Sequence, residues 1–340
     1  MGKKERVDVI QTLESYRKSK VIAYITGDRQ GLVTQVGDDS VGLIQEHLEA
    51  FGKQKKISMF LYTRGGAMMT PLRIVNLIKE YCDTFEVMVP YRAQSAGSLL
   101  CLGADGIIMG KLAELTPVDP STANDFNPQN PVNPMLRVPI SVEDVTAYLS
   151  LAEMQAGLKS ETTKLEVFKA LTSQINPIAL GNVRRVWSEI RALVEILLKL
   201  HMTGEKERTK IPGIVKALTE TYTHDYQIPR KEAKKIGLKV EAPDEKLESI
   251  MMQLYRLYEK DLLLRDPFNA DALLGNQPTA QFSHETAYIE STAKTHAFIQ
   301  AGIVNKQSTP MQIQGLGGQV AIPGLEQVTV RLTTQKWQEI

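Results

Sequence analysis

Residues 84–109 read TFEVMVPYRAQSAGSLLCLGADGIIM, and this stretch decides the fold class. Thr84 to Pro90 is a short apolar and β-branched run closed by proline, which reads as a strand. Ala93 to Ser98 is a small-residue turn that opens a helix through Leu99 and Leu100. Gly106 to Met109 is a second, shorter strand. Strand, helix and strand in that order make a βαβ crossover.

The same rhythm extends toward the N-terminus. Ile57 to Tyr62 is a strand that ends in the turn Thr63-Arg64-Gly65-Gly66, and a helix starts near Pro71 and reaches Tyr81. Val21 to Thr26 is a strand closed by Gly27. A polar loop through Asp28, Arg29 and Gln30 follows, then a helix over Val41–Phe51 with Asp39 and Ser40 as candidate caps. Val7, Ile10, Leu13 and Tyr16 give Glu5–Ser19 an amphipathic helical spacing. Alternating strands and helices predict a mostly parallel sheet with right-handed crossovers. Gly65-Gly66 and Ser95 both follow a strand, so both fall on the carboxyl edge where functional groups gather.

Toward the C-terminus, Pro117, Pro120, Pro128, Pro131, Pro134 and Pro139 mark an extended loop. Ser141-Val142-Glu143-Asp144 resembles a capping box, and the chain reads as helical to about Thr203, with a break at Asn176-Pro177. Gly204–Lys210 reads as a charged loop, Glu232–Lys235 as a short helix and Asp244–Leu264 as an amphipathic helix. The tail alternates at Thr286–Ile289 and Val328–Leu332. Segments 269–281 and 303–319 look loop-rich, which raises a mobile, self-inhibiting tail as one expectation. The expected division is an N-terminal helix (1–20), a main domain (21–240) with a helical insert (about 141–203), and a C-terminal helix and β-containing appendage (241–340).

With 40 basic and 39 acidic residues, the net charge of +1 gives no electrostatic reason to invoke nucleic acid or an anionic membrane surface. The polar start, Met1 to Asp8, lacks the apolar segment of a secretory signal. No run reaches the roughly 18–20 apolar residues of a membrane span. Cys82 and Cys101 lack metal-ligand spacing and fit reduced thiols, so a cytoplasmic protein is expected.

Acyl transfer needs a nucleophile, a base and donors for an oxyanion. Ala93-Gln94-Ser95-Ala96-Gly97-Ser98 places a hydroxyl at a helix start, where backbone N–H groups lack intrahelical partners. The Ala96 N–H is one candidate donor. Gly65-Gly66 offers another on a turn whose glycines permit unusual dihedrals. The same serine-rich turn also serves as an ordinary N-cap and close-packing motif.

Three ordered segments carry a resemblance: Tyr62–Gly66, Val89–Leu99 and Gly103–Gly110. Together with Leu115-Thr116-Pro117-Val118-Asp119-Pro120, Ser141–Val145, Tyr222–Ile228 and Ile236-Gly237-Leu238, they resemble the serine dehydrogenase proteinase family. That family is related to Clp protease and signal peptide peptidase. The resemblance covers about 17–240. It implies the Clp/crotonase fold, a spiral of ββα units assembled as trimers or hexamers. It also implies Ser95 as nucleophile, Gly66 with Ala96 as oxyanion donors, and a peptide or unfolded protein bound as an added strand beside the Gly-Gly turn.

The base departs from the Clp pattern. The Clp-type histidine position falls in Leu115–Pro120, which holds none. The later Glu232-Ala233 and Gly237-Leu238 pattern brings Asp225 to the Clp acid position, immediately after His224. Three alternatives stay open: His224 as base, a lysine (Lys111, Lys159 or Lys164), or no base and a peptide-binding scaffold. His47 reads as a surface or capping residue, His201 as a helix-end residue, and His284 and His296 as part of the tail. No metal and no cofactor are expected. A serine peptidase is the leading function, with an oligomeric scaffold next. A crotonase-like acyl-CoA enzyme is weaker, because crotonases usually place carboxylates where Ser95 stands.

Overall fold

The computed structural model describes residues 2–118, 121–122, 124–220, 226–308, 311–315, 318–322 and 326–340. Helix α1 (Gly2–Arg17) leads into β1 (Lys20–Thr26), a minimal hairpin of β2 (Asp28–Arg29) and β3 (Leu32–Val33), α2 (Asp39–Phe51) and β4 (Gln54–Tyr62). Then come α3 (Thr70–Tyr81), β5 (Cys82–Val89), β6 (Arg92–Ala93), α4 (Ala96–Leu102), β7 (Gly106–Met109) and β8 (Glu114–Leu115). β9 (Ser121–Thr122) pairs with β10 (Ile140–Ser141) across the proline-rich loop. The insert supplies α5 (Val142–Ser150), α6 (Glu161–Gln174) and α7 (Pro177–Lys199), followed by α8 (Glu205–Arg208) and α9 (Ile211–Glu220). β11 (Ile228–Pro229), α10 (Arg230–Ile236), β12 (Val240–Glu241), α11 (Glu245–Asp261) and α12 (Ala270–Leu274) precede the tail. The tail consists of β13 (Thr279–Glu290), β14 (Thr295–Ser308), β15 (Met311–Gly315), β16 (Gly318–Ile322) and β17 (Glu326–Glu339).

The central sheet runs β12-β7-β5-β4-β1-β13-β14-β17. Neighbours from β12 to β1 are parallel, and those from β1 to β17 are antiparallel. This is the expected α/β class with a large, mostly parallel sheet. Side chains alternate between two buried faces. In β1, Ile22 and Tyr24 enter a core with α2, α3, α4, α7 and α9, whereas Val21, Ala23 and Ile25 pack against α1 and α11. Burial on both faces explains why β1 and β4 read as continuous apolar runs.

Local chemistry sets the helix boundaries. Ser141 Oγ accepts from Asp144 N at the start of α5, Asn176 caps α7 with Pro177 as its first residue, and Asp244 caps α11. Gly237 ends α10 with φ 114°, a left-handed cap that suits glycine.

Several expectations are corrected. Asp39 and Ser40 lie inside α2, whose N-cap is Asp38. Segment 204–210 contains the turn α8, and the unanticipated α9 buries Ile211, Ile214, Val215 and Leu218. His47 is fully buried on α2, where Ser291 in the β13–β14 turn and His296 on β14 satisfy its ring nitrogens. Segments 269–281 and 303–319 include α12, the start of β13 and the end of β14. The tail strands continue the central sheet, with Tyr24 opposite Ile289. Among the described residues no helix is long and apolar enough to cross a membrane. Both cysteines are free.

Candidate active site

The β4 chain leaves the sheet at Tyr62 and pairs briefly with β6. Thr63 N donates to Arg92 O at 2.9 Å, and Gln94 N donates to Thr63 O at 3.0 Å. This pairing sets the Gly65-Gly66 turn against Ser95. A Cβ built on Gly65 would lie 2.7 Å from Ser95 Cβ and 3.2 Å from Ser95 Oγ. Only glycine permits so close an approach, and the φ of 115° at Gly65 demands it as well.

Ser95 is the N-cap of α4 and has φ 50° and ψ −111°, a backbone state that residues other than glycine rarely adopt. Its surroundings enforce it. Ser95 N donates to Thr116 Oγ1 at 2.8 Å, and Ser95 O accepts from Leu99 N at 3.1 Å. Ser98 Oγ lies 2.9 Å from both Ala93 O and Thr116 O and accepts from Thr116 N at 3.0 Å. Strained residues held this firmly cluster at functional sites. Sequence reasoning missed Thr116 and Ser98 as supports. The available signal was Pro117, which biases Thr116 toward the extended backbone that lies beside Ser95.

The donors sort by what already occupies them. Gly65 N–H donates to Thr63 Oγ1 at 2.9 Å. Val36 pairs with the turn through Val36 N to Gly65 O and Ala67 N to Val36 O, each 2.8 Å. Among the described residues, no hydrogen bond engages the Gly66 N–H or the Ala96 N–H. Ala96 begins α4, so its N–H has no partner within the helix.

A charged cluster borders the turn. Asp28 accepts from Tyr62 Oη at 2.7 Å, Arg64 Nε at 2.6 Å and Arg92 Nη1 at 2.8 Å. Burial pushes the Asp28 carboxyl up, but these donors outweigh burial and hold it below the usual range. Arg92 also reaches Glu114, which accepts from Gln94 Nε2 at 2.8 Å. Tyr62, Arg64, Arg92 and Tyr255 line a cavity of about 430 Å³ beside this cluster.

His224 and Asp225 lie outside the described residues, but the chain on both sides of them does not. Val118 N donates to Leu218 O at 2.9 Å, and Ile228 stands opposite Leu115 in the β11–β8 pairing. Both flanks of 221–225 therefore run along the segment whose Thr116 bonds Ser95. Among the described residues, no lysine or histidine side chain bonds Ser95. Lys111 is exposed and engages Glu248 through its backbone N–H. Lys159 is exposed, and Lys164 pairs with Glu153 at 3.0 Å. His201 Nε2 bonds Leu102 O at the end of α4. Asp105 pairs locally, with Lys79 and with Phe85 N.

Comparison with known proteins matches residues 2–137 to the family described as ClpP-like SDH-type serine proteinase. Two uncharacterized proteins of Methanocaldococcus jannaschii are similar over 261 residues. One is 27% identical, covering 74% of this chain and 78% of its own, and the other is 26% identical, covering 74% and 76%. Solved structures of the 1510-N membrane-bound stomatin-specific protease are 15% identical. A serine-to-alanine variant gives TM-score 0.39 over 72% of this chain and 86% of that one. A lysine-to-alanine variant in complex with a substrate peptide gives 0.38 over 68% and 78%.

Proposed function

Because residues 2–137 match the ClpP-like SDH-type serine proteinases, we propose that this protein is a serine peptidase that cleaves peptide bonds through Ser95. The observation that carries the reading is the positive-φ backbone of Ser95, locked beside the Gly65-Gly66 turn. Ser95 Oγ attacks the scissile carbonyl carbon and gives its proton to the base. The N–H groups of Gly66 and Ala96 receive the oxyanion, with Gly65 shaping the turn. Collapse expels the amine, which takes the proton back, and water then hydrolyses the acyl-enzyme. His224 is the proposed base and Asp225 its orienting carboxylate, supported by the docking of both flanks on 115–118. The peptide adds along the edge of the turn not taken by Val36. A cytoplasmic homo-trimer or hexamer acting on peptides or unfolded segments completes the proposal.

A second reading is a peptide-binding scaffold without turnover, in which the Gly65-Gly66 turn and the start of α4 hold a peptide and Ser95 is not activated. A fluorophosphonate probe separates the two. The peptidase reading expects labelling of the wild type, none of Ser95→Ala, and a slowed, pH-shifted rate in His224→Ala. Labelling that persists in Ser95→Ala sinks the nucleophile assignment. A folded wild type that never labels leaves the scaffold.

A further inference from the structure

We infer that Glu46, His296 and Glu339 form a binding site for a divalent transition cation, of the Zn²⁺ or Mn²⁺ class. The three side chains come from α2, the start of β14 and the end of β17, so the fold and not sequence spacing assembles them. One ligand atom from each lies within 4.8 Å of the other two. Bonds of about 2.0–2.2 Å in a tetrahedral site set ligand atoms about 3.4 Å apart, so His296 Nε2 and Glu46 Oε2, 3.6 Å apart, nearly match that spacing, and a small side-chain adjustment closes the rest. Glu46 and Glu339 are 41% and 59% exposed and free to make that adjustment. One imidazole, two carboxylates and an open side toward solvent suit a borderline cation.

His296 is the observation that separates this group from an ordinary acidic cluster. It is only 3% exposed, and its Nε2 points at Glu46 Oε2 from 3.6 Å, without a hydrogen bond among the described residues. Behind it, His296 Nδ1 lies 3.1 Å from His47 Nε2, and His47 Nδ1 lies 2.7 Å from Ser291 Oγ. A metal-bound Nε2 requires the proton on Nδ1. His296 then donates to His47, and His47 donates to Ser291. Every ring nitrogen in the chain is satisfied, the outer support that ligating histidines ordinarily have. The end of β17 is also fixed. Trp337 Nε1 donates to Asp39 at 3.0 Å, and Ile340 N donates to Thr295 O at 3.0 Å.

Charge agrees with the assignment. Two carboxylates and a neutral imidazole carry −2, matching the cation. Lys294 Nζ currently serves as counter-ion, 2.8 Å from Glu46 and 4.0 Å from Glu339. It is 30% exposed on a flexible stem, so a cation displaces it outward. The bound cation would join α2 to both tail strands.

The test uses the full chain, stripped with a chelator, titrated with ZnCl₂ and with MnCl₂ by calorimetry and followed by thermal unfolding. One equivalent should bind, and the unfolding temperature should rise with metal concentration. Glu46→Gln and Glu339→Gln should each weaken binding by about tenfold or more, while keeping the metal-free circular dichroism spectrum. Lys294→Ala should bind more tightly. Absence of stoichiometric binding by the wild type overturns the site. So does wild-type affinity in both glutamine variants, which would put the cation elsewhere.

Discussion

At the scale of single residues, Ser95 allows stability to be separated from the proposed chemistry. Its φ of 50° and ψ of −111° cost an L-residue about 1–3 kcal/mol, and glycine adopts the same state freely. Among the described residues the Ser95 hydroxyl makes no hydrogen bond, so its removal forfeits none to them. Ser95→Gly should therefore raise the denaturation midpoint, by about 1 kcal/mol of stability, while abolishing probe labelling. Ser95→Ala should abolish labelling without that gain, because alanine keeps the strained backbone. Equal midpoints in the two variants would show that the strain carries no cost. The turns that carry Ser95, Gly65 and Gly66 were legible in sequence because a small-residue turn after a strand is a local signal. Thr116 was not, because its bond to Ser95 N spans 21 residues and exists only once β8 docks beside β6.

At the scale of elements, Glu86 holds α1 to the sheet. It lies on β5 and accepts from Arg17 Nη2 at 2.6 Å and from Ser58 Oγ on β4 at 2.6 Å, with Lys56 at 3.5 Å. Burial pushes its carboxyl up, but the bonds from Arg17 and Ser58 and the nearby cations outweigh burial and hold it below the usual carboxylate range. Its contribution is therefore complete above the unfolded-state value of about 4.3 and is lost as pH falls through the lower folded-state value. Glu86→Gln should lose about 1–3 kcal/mol at neutral pH and show a shallower acid limb in urea denaturation against pH. An unchanged acid limb would assign the acid lability to other carboxylates. Regular elements of this kind were readable from periodicity and caps: Gly106–Met109 has the expected bounds, and Asn176-Pro177 marks the start of α7. The partners of Glu86 were not readable, because a lone acid in an apolar run carries no record of the arginine that reaches it.

At the scale of the whole molecule, the tail is where sequence and structure part. Its strands alternate too weakly to announce a place in the central sheet, yet β13 covers the edge of β1. Glu290 at the end of β13 is fully buried and accepts from Arg6 Nε at 2.7 Å, Tyr258 Oη at 2.7 Å and Thr295 Oγ1 at 3.0 Å. Arg6, only 2% exposed, also pairs with Asp261 and lies against the rings of Tyr258 and Tyr288. One buried network thus joins α1, α11, β13 and β14. A tail that shields the site as a mobile cover would give a more reactive enzyme when removed before Phe282. The structure predicts the opposite. Truncation leaves Arg6 without its Glu290 partner, a loss of about 3–5 kcal/mol for a broken buried pair. It also exposes the apolar edge of β1, an invitation to strand pairing between copies. The truncated chain should aggregate or unfold and show less probe labelling per molecule than the full chain. A soluble, monodisperse truncation with faster labelling would restore the cover hypothesis. Glu290→Ala in the full chain isolates the buried pair: it should lower stability by a comparable amount while leaving β13 in place to guard the edge.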